Sequence, residues 1–357
     1  TVVATDTAGA TAVAELTITL PVVIGNGTWL SNLDGTWSDT SKWSGGFRAN
    51  GAGSIADFST LNITGDRMVD LDTNRTIGSL KFGDTSGSQN WTLWSATNKA
   101  LTMAATSPSI VVNQNTATVA VGLNGTAGLN KTGAGTLVLA GNSSISGVLN
   151  IDTGSTGANE GTVRLAHPGA AAAFSTIQIR TNNSGSSTLE LDGASGSVNS
   201  PASVTINGRN NSVPAISNIG GSNTLAGTLS IFSGGSNYRI ESNAGQLELA
   251  GNAPAAGRIA FTSGATGTRT LTLQGSGDGL VTGRIQNGSA DAVSVVKSGT
   301  GSWALNGVNT YTGTTSVTQG ELQVNGSTGT GSTTVSNGAT LSGGGSVSAA
   351  LTGQTGS

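Results

Sequence analysis

Residues 129–151 read LNKTGAGTLVLAGNSSISGVLNI, and residues 295–317 read VVKSGTGSWALNGVNTYTGTTSV. Aligned without a gap, Lys131 falls on Lys297, Gly133 on Gly299, Gly135 on Gly301, Gly141 on Gly307 and Gly147 on Gly313. Leu139 falls on Leu305, and Ile145 on Tyr311. The match resumes as GTVRLA at 161–166 against GELQVN at 320–325, after an insertion in the first copy. Gly-x-Gly suits a sharp entry turn that needs positive φ or close backbone approach. The alternating Thr/Val/Leu stretch that follows reads as a strand with one face turned to a core. Gly141 or Gly307 then turns a corner, and Ile145 or Tyr311 plugs inward. A second strand ends at another glycine. Each copy therefore reads as one coil of a solenoid, which must stack on neighbours to bury its apolar face.

Outside these copies the pattern continues in short alternating runs. Examples are 109–112, 136–139, 162–165, 188–191, 203–206, 246–249 and 270–273. No apolar spacing of i, i+3, i+4, i+7 persists over three turns, which excludes long helices. Glycine accounts for 56 of 357 residues, more than double the usual ~7 %. Charged residues make up only 9 %, against about a quarter in ordinary domains. High Gly and Asn content without a domain-like break favours a solenoid over a sandwich. At ~20–25 residues and ~4.8 Å rise per coil, residues 22–357 predict roughly 13–17 coils and a rod about 60–80 Å long.

The core K-x-G-x-G-x-L-x-L-x-G-x-N-x-Y-x-G-x-T of the second copy closely resembles the passenger-associated repeat of bacterial autotransporters. The first copy departs from it at Ser143, Ser144 and Ile145. The resemblance implies an all-β fold, a right-handed parallel β-helix, on a secreted or surface-exposed bacterial protein. It implies no activity.

Three regions follow. Residues 1–21 alternate around Asp6-Thr7-Ala8-Gly9, a β-hairpin signal. They resemble the terminal strands of an immunoglobulin- or cadherin-like domain, or a segment that completes another sheet. Residues 22–100 hold five of the six tryptophans, at 29, 37, 43, 91 and 94, and read as an aromatic cap over the first coil. Residues 101–357 read as the regular solenoid. The chain opens at Thr1 without an initiator Met or signal segment and shows no C-terminal barrel, as expected of a processed piece of something longer.

Few function classes survive. A net charge of −3 without a basic stripe argues against nucleic-acid binding. No run approaches the ~18 apolar residues of a spanning helix, so no membrane insertion is expected. With no Cys and a lone His167, no zinc site or cofactor is predicted. Asp66, Asp70 and Asp72, with the pair Glu190 and Asp192, are the tightest acidic groups. Solvated strand faces account for them better than a glycosidase, polysaccharide lyase or calcium site. Lys131 and Lys297 read as stems covering a coil edge, with an isopeptide crosslink as the alternative. The expectation is thus a non-catalytic rod or scaffold, its partners being copies of itself head to tail or adjacent domains. The alternative is an adhesin that stacks surface glycans on Trp29, Trp37 and Trp43.

Overall fold

The computed structural model describes residues 2–5, 7–14, 25–151, 161–179, 185–251, 258–261 and 266–353. Strands Val2–Thr5 and Thr11–Ala14 pair antiparallel as a two-stranded sheet of their own. The expected continuation of this hairpin to residue 20 lies outside the described residues. Among the described residues every other strand belongs to a parallel sheet, and through the middle of the chain the strands visit three faces in turn. One face is a sheet of 11 strands and the next a sheet of 14. The third face is divided into sheets of 4 and 7 strands. The division falls where 166–173 passes the third face without a strand. The described residues form a parallel β-helix of 14 rungs, about 60 Å along its axis at ~4.8 Å per rung.

Period-two patterning explains which side chains enter. Strand after strand shows the alternation of half-buried and buried residues, as in Ser109–Val112, Thr116–Val119 and Thr162–Leu165. The inward residues then stack in register: Leu93, Val119, Leu139, Leu165 and Leu191 form one column on the 14-stranded face. Four of the seven runs quoted from the sequence coincide with strands of the structure, and the other three lie within longer ones. Coil length is less regular than the sequence pattern suggests. On the 11-stranded face successive strands begin as close together as Leu129 and Gly147, and as far apart as Ser79 and Ser109. The excess sits in corner loops, where length costs little conformational entropy.

At the N-terminal end Trp29, Trp37 and Trp43 are buried, with 0 %, 0 % and 2 % of their surface exposed. Trp43 lies 5.2 Å from both Trp29 and Trp37, ring centre to ring centre, and all three sit 5.5–5.6 Å from Phe58. Phe58 in turn stacks on Phe82 at 5.3 Å. The three indole N–H groups donate to the main-chain oxygens of Ser31, Ala49 and Trp37. Ring faces and polar edges are both spent on closing the first coil. This corrects the expectation that Trp29, Trp37 and Trp43 stack glycans, because no face of theirs meets solvent.

Candidate functional site

The residues that define the repeat converge on a buried ammonium group. In strand Ala292–Lys297 the inward positions are Val293, Val295 and Lys297, so Lys297 enters the coil by the same alternation as the valines. It is fully buried, and Nζ donates to the carbonyls of Ser298 (3.0 Å), Gly299 (2.7 Å) and Gln319 (3.0 Å). The first two oxygens belong to its own corner turn and the third to the next coil. The lysine therefore clips a turn and a rung together. Lys131 repeats the arrangement: it is fully buried beside Leu129, and its Nζ donates to the Gly133 carbonyl at 2.7 Å. Both lysines were expected on a coil edge. The structure corrects this, since only the interior collects enough main-chain oxygens to replace water around an ammonium group. Lys297 meets main-chain oxygens rather than an Asn or Asp side chain, which removes the basis for an isopeptide bond there.

The glycines make the clip possible. Gly133 and Gly299 turn at φ +84° and +73°, which aims their carbonyls inward at the lysine. Gly135, Gly141, Gly147, Gly301, Gly307 and Gly313 lie where an added Cβ would come within 3 Å of a neighbouring coil. Gly161 and Gly320, aligned in the sequence but not singled out there, close the lid. A Cβ on Gly161 would lie 2.6 Å from Lys131 Nζ, and one on Gly320 2.8 Å from Lys297 Nζ. Tyr311, fully buried, shares a hydrogen bond of 2.6 Å with Thr315, and Ile145 is buried in the matching place.

The two copies occupy different faces of the helix. Strands Leu129–Thr132 and Thr136–Leu139 lie in the 11- and 14-stranded sheets. Their counterparts Ala292–Lys297 and Ser302–Leu305 lie in the 14- and 7-stranded sheets. The unit has moved round by one face. It needs only rungs above and below it, so any of the three faces serves.

Residues 129–165 and 295–324 match the passenger-associated-transport-repeat family. No curated protein and no solved structure matches the chain. The matched segments thus contain the lysine clip and its glycine lid in both copies.

The acidic candidates hold the protein's own groups. Asp66 accepts from Asn90 N (2.8 Å), Asp70 from Ala96 N (3.0 Å) and Asp72 from Ser38 Oγ (2.9 Å). Glu190 pairs with Arg164 at 2.7 Å, and Asp192 accepts from Ala194 N at 3.2 Å. Among the described residues no three His, Cys, Asp or Glu side chains gather as a metal site would require, and no helix is long and apolar enough to cross a membrane.

Burial pulls the Lys297 pKa down from 10.5 to about 8. Below pH 8 folded and unfolded chains both carry this proton, and the group adds no pH dependence. Between 8 and 10.5 the unfolded chain binds more protons, so stability rises with pH, by about 3 kcal/mol at most. Urea midpoints from pH 7.5 to 10 should therefore climb in the wild type relative to Lys297→Met. Parallel curves for the two proteins would contradict the buried charge.

Proposed function

We propose that the chain is a non-catalytic structural rod of a secreted or surface-exposed bacterial protein. The observation that carries this reading is the direction of the repeat's defining side chains. Lys131, Lys297, Ile145 and Tyr311 all point inward together with Leu139 and Leu305, and the signature glycines shape corners. A repeat whose defining side chains are spent on the interior builds length. Its appearance on two different faces supports the same reading, since a ligand site would have to keep one orientation along the rod.

Electron microscopy of the purified chain tests the proposal. Straight particles about 60 Å long are expected from 14 rungs at the ladder spacing. Continuous fibres of the same width would establish head-to-tail self-assembly as an added property. Compact round particles would overturn the rod.

A further inference from the structure

Each coil leaves the 14-stranded face at a corner, and four successive corners differ from the rest. Next in chain to the inward Leu93, Val119, Leu139 and Leu165 come Trp94, Ala120, Ala140 and Ala166. Main-chain bonds continue the ladder here: Ala120 N donates to Leu93 O, Ala140 N to Val119 O, and Ala166 N to Leu139 O. The four side chains thus form an outer column, with one indole at its head and three methyl groups below. Five of the six tryptophans are buried, whereas Trp94 is 36 % exposed.

An open groove of about 350 Å³ runs beside this column, and Asn98, Lys99, Asn142 and His167 line it. Ala120 and Ala140 contribute to its wall, and its lining holds no carboxylate. The side chains of Asn98, Lys99 and Asn142 form no hydrogen bond or ion pair with the described residues. Asparagines elsewhere are used differently: Asn150 donates to Asn130 (2.8 Å) and Asn325 to Asn306 (2.9 Å), each tying one coil to the next. His167 Nδ1 accepts from Gly169 N at 3.0 Å, which leaves the ring proton on Nε2.

We infer that this corner is a saccharide-binding site, which takes a pyranose chain laid along the column. One face of a pyranose is a patch of C–H bonds that stacks on an indole, and Trp94 is the indole that solvent reaches. The rim of the ring carries hydroxyls that both donate and accept. Carboxamides do the same, while the Lys99 ammonium and His167 Nε2–H donate. The groove reaches Ser95, next in chain to Trp94, and extends past Ala120 and Ala140 to His167, three coil steps or about 14 Å, enough for two or three sugar units. An apolar peptide would bury three polar side chains without partners, which is unfavourable. The rod reading does not depend on this site, nor the site on the rod's biological setting.

Titration of the 357-residue chain with hexasaccharides of glucose, of N-acetylglucosamine and of galacturonate tests the inference, read by tryptophan fluorescence and calorimetry. At least one should bind with saturation. Trp94→Ala should weaken that binding about tenfold or more while the solenoid still folds cooperatively, since the ring lies outside the buried core. Trp94→Phe should retain most of the affinity, and Asn142→Ala should lose about threefold to tenfold. Absence of saturation with all three sugars, or equal affinity in Trp94→Ala, would overturn the site. Rod-shaped particles seen alongside that result would leave the structural reading intact.

Discussion

Replacement of Lys297 by Met is expected to destabilise its part of the solenoid by about 3 kcal/mol at pH 7. Methionine fills nearly the same volume, so the loss would come from the acceptors and not from a cavity. The carbonyls of Ser298, Gly299 and Gln319 all converge on Nζ, and main chain cannot be mutated away to match. Each would lose the donor that it meets inside the coil. The effect should be local, because coils of a repeat protein touch only their neighbours. Hydrogen exchange is therefore the sharper measurement. Protection should fall in strands Ser302–Leu305 and Glu321–Val324, which flank the clip, and remain in Ser109–Val112 far along the rod. A loss below about 1 kcal/mol would mean that the carbonyls find water or other donors once the lysine is gone.

The glycine lid makes the second large prediction. Gly320 has φ +67°, and an added Cβ would fall 2.4 Å from the Gly299 oxygen, 2.5 Å from the Gly301 oxygen and 2.8 Å from Lys297 Nζ. Two of these neighbours are main chain held in the ladder, so they cannot yield cheaply. Gly320→Ala should cost about 3–4 kcal/mol, the sum of a left-handed alanine and overpacking. Gly338 provides the control. It has φ +78° but no heavy atom within 4 Å of an added Cβ. Gly338→Ala should then show the backbone penalty alone, about 1 kcal/mol. If both substitutions cost the same by urea denaturation, the lid does not close on the lysine as described.

Much of this architecture was legible in the chain. Short alternating runs gave the strands, because the side-chain period of a strand is two and appears directly in sequence. The paired Gly-x-Gly turns marked corners, because few other residues can adopt their φ or tolerate the next coil so close. Even the buried lysines left a trace, since Lys297 has the same parity as Val293 and Val295. The usual cost of burying a charge works against such a reading of a lysine. The same limit applied to tryptophan. Trp29, Trp37 and Trp43 looked like candidates for sugar, yet the exposed ring is Trp94, one residue beyond the inward Leu93.

The sequence by itself therefore determined that the chain coils, roughly how often, and which residues make one repeat unit. It could do so because alternation, glycine corners and self-similarity are local properties. Tertiary structure alone decided that Lys131 and Lys297 face inward, that the two repeats sit on different faces, and that Trp94 heads an open column. Each of these depends on atoms in a neighbouring coil, a full and variable turn of chain away. The acceptors of a lysine, or the wall of a groove, come into being only when rungs stack.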